Sequence, residues 1–351
     1  MTMADMADLA DARPSAYRLE NADCYPIPAP HVLEATRSAV GRDEFNSYLP
    51  LRGLQGLREA VASRYLQDFG VAYDSEEVVI SSGAGESLLN ALLVAIDPGD
   101  KVLLTNPTYS GMAQRVRLAG GKQVFCDLER TPSRWSLDLD RLHEQARGCR
   151  AIFVASPVMP TGTVLNREET EAIARAAVEN DAIVIFNGAA DRVVFGDRSV
   201  VHPASIPELR ERTITIGCVT KNYGMPGWRI GWTAAPRETA RALEDTHIFN
   251  GIMPSGFCQA GAEAALTGPQ GWQHELVATF KRNQQALLEE LATAPSIDPV
   301  PAEGGWWLLA DVEQTGMDVD RSLSVLTVQA ASFCSCPVAS SHVARTSRGV
   351  L

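Results

Sequence analysis

Lys221 stands between a β-like run, "RTITIGCVT" (212–220), and a loop dense in glycine and proline, "NYGMPGW" (222–228). Arg229 follows eight positions after it and leads into a second apolar run. A lysine at a strand end inside a cleft is desolvated, and its amine becomes a nucleophile able to form an imine with an aldehyde. An arginine can grip a phosphate through two parallel hydrogen bonds. Taken singly, each has a plainer reading: a solvated loop lysine and a surface ion pair. A third feature is "ISSGAGES" (80–87), which reads as a strand, a glycine turn and a helix start. There the N–H groups of Gly83 and Ala84, at the positive end of a helix, suit a phosphate. The stretch is neither a P-loop nor a GxGxxG turn, and any strand-to-helix turn can carry Ser and Gly.

The elements that would position these residues follow from hydrophobic patterning. "SEEVVIS", "DKVLLTNP", "KQVFCDL", "RAIFVASP", "DAIVIFNG" and "RTITIGCVT" are strand-like, and helical patterns such as "GESLLNALLVAI" separate them. "NREETEAIARAAVEN" is a helix with Asn166 as its N-cap and Glu169 three residues on. Strands alternating with helices imply an α/β fold, a mostly parallel sheet with helices on both faces. Ligands of such sheets bind beyond the carboxyl ends of the strands. Gly83, Tyr109, Pro157, Asn187 and Lys221 each fall at or just after such an end. The pattern stops after "TGPQGW". A long helix and the strand-like "GGWWLLADV" then predict a smaller α+β part from about residue 271. The expected division is an N-terminal arm over 1–45, a large domain over 46–270 and a small domain over 271–351.

Composition narrows the function classes. The chain has 351 residues and a net charge of -12, which argues against a nucleic-acid partner. No apolar run approaches the roughly 20 residues that cross a bilayer, and "MTMADMADLADARPS" lacks a signal peptide's apolar core. Seven scattered cysteines, Cys334 and Cys336 among them, show no disulfide or zinc framework. They predict a reduced, cytoplasmic protein.

Together the motifs resemble the fold type I pyridoxal-phosphate enzymes, the aspartate-aminotransferase-like family, over about residues 45–310. "K221-N-Y-G-M-P-G-W-R229" is similar to its lysine–arginine signature. "Y48-L-P-L-R-G53-L-Q-G-L-R58" is similar to the segment whose tyrosine reaches the phosphate in the neighbouring subunit. "S82-G83-A84" resembles the phosphate turn, and "N106-P-T-Y109" the strand end whose ring stacks on the pyridine. "S156-P-V-M159-P-T161-G162" stands where the family has its Asn-Pro-x-Gly segment. The resemblance implies pyridoxal 5'-phosphate as cofactor and Lys221 as its imine-forming lysine. Arg229, Ser82, Gly83 and Ala84 are implied at the phosphate, and Tyr109 at the ring. A homodimer completed by Tyr48 and a small amino-acid substrate are implied as well.

The resemblance has gaps. Met159 replaces an asparagine, and Ala190 a tyrosine, that bond the cofactor's ring hydroxyl. Asn187 replaces the aspartate that pairs with the pyridine nitrogen. Cys218 replaces a phosphate-binding serine, although Thr220 keeps a hydroxyl nearby. Asp191, four residues past Asn187, reads as an exposed loop acid rather than a substitute. Arg345 is the candidate clamp for a substrate carboxylate, in a tail that lacks the usual Gly-Pro turn. Trp306 and Trp307 read as small-domain packing, with a substrate-facing role as the alternative, and His247 as a core or helix-surface residue, with a cleft-facing one as the alternative. These departures leave three accounts open. The reading adopted is a divergent aminotransferase acting on an α-amino acid. The others are a pyridoxal-phosphate enzyme of another outcome, such as oxidation, elimination or cyclisation, and a non-catalytic protein of this fold.

Overall fold

The computed structural model describes residues 28–316 together with residues 8, 11 and 12. Arg345, Cys334 and Cys336 lie outside the described residues. The main sheet contains β1 (Val78–Ser81), β2 (Lys101–Asn106), β3 (Lys122–Arg130), β4 (Trp135–Leu137), β5 (Cys149–Ala155), β6 (Ile183–Asn187), β7 (Thr213–Cys218) and β8 (Gly231–Ala234). Their spatial order is β1-β8-β7-β6-β5-β2-β3-β4. Neighbours from β7 to β3 pair in parallel, as the strand–helix alternation predicts. Two strands depart from it. β4 is a short antiparallel return on β3, and β8 inserts antiparallel between β1 and β7.

Period-2 side-chain alternation sorts the strands' apolar residues between two faces. Leu103, Ile152, Val184 and Phe186 pack with Ile173 and Ala177 of helix Arg167–Glu179. Val102, Leu104, Phe153, Ile185 and Ile214 pack with Leu88 and Leu92 of helix Ala84–Ala95 and Met112 and Val116 of helix Ser110–Leu118. A third cluster lies at the β1–β8 end, where Ile80, Trp232 and Ala234 meet helices Gln55–Phe69 and Gly256–Thr267. After the 21-residue helix Gly271–Leu291, strands β9 (Asp298–Val300) and β10 (Leu309–Asp311) form a small antiparallel sheet. The strand expected over "GGWWLLADV" is thus shorter than its apolar run, because Gly305 turns with φ +83° and both tryptophans lie outside the pairing.

The cap expected at Asn166 is present. Asn166 Oδ1 accepts the Glu169 N–H at 2.9 Å and Glu169 Oε2 accepts the Asn166 N–H at 2.8 Å. Glu169 is buried and also accepts the Leu137 N–H at 3.0 Å, so the cap joins helix Arg167–Glu179 to β4. Replacing Asn166 with Ala should therefore lower the unfolding free energy by about 1 kcal/mol in urea denaturation. Cofactor affinity should not change. An unaltered unfolding midpoint would contradict the cap's contribution.

Candidate active site

Lys221 lies in one helical turn, Val219–Asn222, directly after the fully buried strand β7. The turn is held from both sides. The Val219 N–H donates to Ile230 O at 3.1 Å, and the Met225 N–H donates to Thr220 O at 3.1 Å. Asn222 is pinned to the loop that follows β6: its Nδ2 donates to Asp191 Oδ1 at 2.7 Å and its Oδ1 accepts the Arg192 N–H at 3.2 Å. Asn187 ends β6 and is half-buried. Its Oδ1 accepts the Ala189 N–H at 3.1 Å. Cys218 is buried, with Sγ 4.0 Å from Ala189 O.

The register of β8 sets the other half of the site. Gly231 is opposite Ser81 on one side and Cys218 on the other. The ends of β1 and β7 are therefore level with the start of β8. Arg229, two residues earlier, adopts a left-handed conformation (φ 53°) and turns back over the Gly83 turn. A Cβ built on Gly83 would stand 2.5 Å from Arg229 Nη2. One built on Gly231 would stand 2.6 Å from the Ala84 nitrogen. Gly83 itself has φ +89° and caps helix Ala84–Ala95. Glu86 stiffens the turn from within that helix. It accepts the Ser82 N–H at 2.6 Å and a hydrogen bond from the buried His247 of helix Arg237–Asn250. Burial pushes the Glu86 carboxyl up, but the bonds from His247 and Ser82 outweigh it and hold the group below the usual carboxylate range.

The remaining candidates are distributed round this centre. Tyr109 precedes helix Ser110–Leu118 with its ring against Gly111, where any side chain would collide with it. Met159 is half-buried beyond β5 and lacks an N–H or O–H to offer. Ala190 is buried in a cluster with Val193 and Phe195, against which Phe280, Trp306 and Trp307 pack. Thr220 sits in the lysine turn. Tyr48 is 81% exposed, and Phe249 and Ile252 are exposed as well.

Two expectations are corrected. Asp191 is not an exposed loop acid. It is buried, with one oxygen bound to Asn222 and the other against Gly188, because it must satisfy the donors under the lysine turn. Trp306 is more than small-domain packing, since Lys221 Nζ lies 4.5 Å from its ring centroid. The roles of Asn222 and Glu86 have no local sequence signal, because their partners Asp191 and His247 are distant in the chain.

Comparison with known proteins identifies the family and the fold. The family model described as aminotransferase class I and II matches residues 15–340. A probable aspartate/prephenate aminotransferase of Aquifex aeolicus is 32% identical over 289 residues, covering 80% of this chain and 73% of that protein. The structure of N-succinyldiaminopimelate aminotransferase from Mycobacterium tuberculosis is similar with a TM-score of 0.86 at 28% identity, covering 94% of this chain and 86% of that one. The aromatic aminotransferase from Pyrococcus horikoshii gives a TM-score of 0.84 at 26% identity, covering 91% and 86%.

Burial pushes the Asp191 carboxyl up to about 7, against the opposing pull of its Asn222 bond and of Arg192. The folded chain holds this proton more tightly than the unfolded one. The stabilisation is therefore complete below the ordinary carboxylate range and is lost as pH rises toward 7. Asp191→Asn keeps an acceptor for Asn222 Nδ2 but cannot ionise. Urea denaturation at about pH 5 and about pH 7.5 should show the variant gaining on the parent at the higher pH. A difference that is the same at both would contradict the assignment.

Proposed function

The chain belongs to the aminotransferase class I and II family, and we propose that its active site is the cluster built round Lys221 and Arg229. It is a pyridoxal 5'-phosphate-dependent aminotransferase acting on an α-amino acid. The observation that carries the site assignment is the register at Gly231, which puts the lysine turn, Arg229 and the Gly83 turn side by side.

The residues fit the cofactor. At Gly83 and Gly231 the backbone lies so close to Arg229 and to the Ala84 nitrogen that a Cβ would collide with them. The guanidinium and the N-terminus of a 12-residue helix thus converge at Gly83, and both favour a phosphate. When bound, pyridoxal phosphate supplies an aldehyde for imine formation and a sink for the electrons of the Cα–H bond. The chain's own residues do the rest. Arg229 and the N–H groups of Gly83 and Ala84 anchor the phosphate, with the Thr220 hydroxyl and Ser82 beside them. Cys218 fills the site of the family's serine without a strong hydrogen bond of its own. Lys221 holds the cofactor, then takes the proton from the substrate's Cα and returns it. Holding lysine and anchor on one loop keeps the amine within reach of that carbon. Tyr109 covers one face of the ring, and Met159 lines its edge. Asn187 has Oδ1 engaged by Ala189, so it offers N–H donors, which pair with an unprotonated ring nitrogen.

Two wider features belong to this reading. Tyr48, Phe249 and Ile252 form an exposed apolar patch, joined where the Leu49 N–H meets Met253 Sδ at 3.0 Å. A second copy of the chain covers that patch and receives Tyr48 at its phosphate. The chain divides near residue 270 into the cofactor-binding part and a smaller one, in whose tail Arg345 grips the substrate carboxylate. The protein works in the cytoplasm, a location supported by thiols: Cys126, Cys149, Cys218 and Cys258 are all unpaired. No helix among the described residues is long and apolar enough to cross a membrane.

Arg229→Ala should weaken pyridoxal phosphate binding by roughly 10- to 150-fold, the worth of a charge-assisted pair, while the unfolding midpoint stays in place. The parent should pass the amino group of an α-amino acid to a 2-oxo acid. Unchanged cofactor affinity in the variant would remove Arg229 from the site. Phe249→Glu should yield monomers in sedimentation, with weaker cofactor retention; an intact dimer would contradict the interface.

A further inference from the structure

The two positions that resemble the family's contacts to the cofactor's ring hydroxyl are apolar here, Met159 and Ala190. A phenolic oxygen left in that pocket without a donor would be costly. Trp306 supplies a candidate donor. Its Nε1–H is buried and meets no acceptor among the described residues. Trp307 differs, because its Nε1–H is spent on Val158 O at 3.2 Å. Trp306 also has the right neighbours. Its ring packs in the cluster that buries Ala190, and Lys221 Nζ lies 4.5 Å from its centroid. In pyridoxal phosphate the hydroxyl is ortho to the aldehyde carbon that a lysine amine attacks. A residue packed on that amine is therefore within range of the hydroxyl oxygen as well, once the cofactor is bound.

We propose that Trp306 is a cofactor-positioning residue whose indole Nε1–H donates to the ring hydroxyl, replacing the polar contacts missing at Met159 and Ala190. The small side chain of Ala190 is then the counterpart of the large one at Trp306: the methyl group leaves room for the indole. Phe280, whose ring centroid is 6.0 Å from that of Trp306, and Trp307, at 4.5 Å, fix the indole's orientation. The proposal rests on Lys221 as the lysine that holds the cofactor.

The test uses the full-length chain loaded with pyridoxal phosphate and reads the pH midpoint of the bound cofactor's visible absorbance. A donor to the hydroxyl stabilises the form in which that oxygen carries an uncompensated negative charge, so it lowers the midpoint. Trp306→Phe keeps an aromatic face and loses the N–H. It should raise the midpoint by roughly one to two pH units and weaken cofactor binding by roughly 10-fold. Ring-face attraction for a cation alone predicts the opposite sign, because phenylalanine attracts a cation less than tryptophan and the midpoint would fall. A fall, or no shift, overturns the proposal. Trp307→Phe should leave the midpoint alone, and an equal rise there would also overturn it. A measurement independent of variant folding is the indole N–H proton resonance of Trp306 in the parent. It should move downfield when pyridoxal phosphate is added, and a stationary resonance counts against the proposal. Lys221→Ala separates the two levels. If the visible band survives it, the lysine assignment and the Trp306 proposal both fall. If the band needs Lys221 but ignores Trp306→Phe, only the Trp306 proposal falls.

Discussion

The antiparallel insertion of β8 between β1 and β7 is the constraint on which the rest of the site depends. Gly231 is the cross-strand partner of both Ser81 and Cys218, so three chain segments come level at one point of the sheet edge. Lys221 leaves that point in one direction, Gly83 in a second, and Arg229 enters from a third. No side chain is tolerated at 231, because it would meet the Ala84 nitrogen. A fully parallel arrangement would carry the segment after Lys221 across a face of the sheet and away from its edge. The short antiparallel return keeps the guanidinium within the lysine's own loop.

Each of the two loops that meet there is pinned from beneath by a carboxyl group, buried at Asp191 and partly buried at Glu86. Glu86 holds the Ser82 N–H and the His247 ring under the Gly83 turn. Asp191 holds Asn222 under the lysine turn, and Arg192 beside it reaches the Tyr223 hydroxyl, Gln270 and Asp68. Burying a carboxyl is expensive unless it is well bonded, and removing it strands donors at about 1–3 kcal/mol each. The two sites differ in how the cost is met. The bonds to Glu86 outweigh its burial, whereas burial prevails at Asp191 and favours the neutral acid. Both devices convert hydrogen bonds into positional accuracy at a strand end.

Much of this was legible in the sequence, for physical reasons. Strand-like runs such as "RAIFVASP" and "DAIVIFNG" are buried on both faces, so their apolar character is continuous and unambiguous. The cap at Asn166 is written in four consecutive residues. The lysine, arginine and glycine turn could be named because each is tied to a strand end. The direction of β8 was not legible, since apolar alternation carries no sign. Asp191 was misread because a loop acid looks exposed until the donor it serves, 31 residues away, is known. Trp306 was misread for the same reason: only the fold brings it to Lys221. The departures at Met159, Asn187 and Ala190 could be seen in sequence, but what fills their places could not.

The central claim is that Lys221 is the cofactor lysine because it alone stands at the carboxyl end of the sheet. Lys101 and Lys122 begin β2 and β3 at the opposite edge, and Lys281 is exposed on the helix Gly271–Leu291. The most direct measurement is borohydride reduction of the pyridoxal-phosphate-loaded protein, followed by proteolysis and mass mapping of the fixed cofactor. The account predicts a single labelled peptide carrying Lys221. Label on Lys101, Lys122 or Lys281 instead would contradict it.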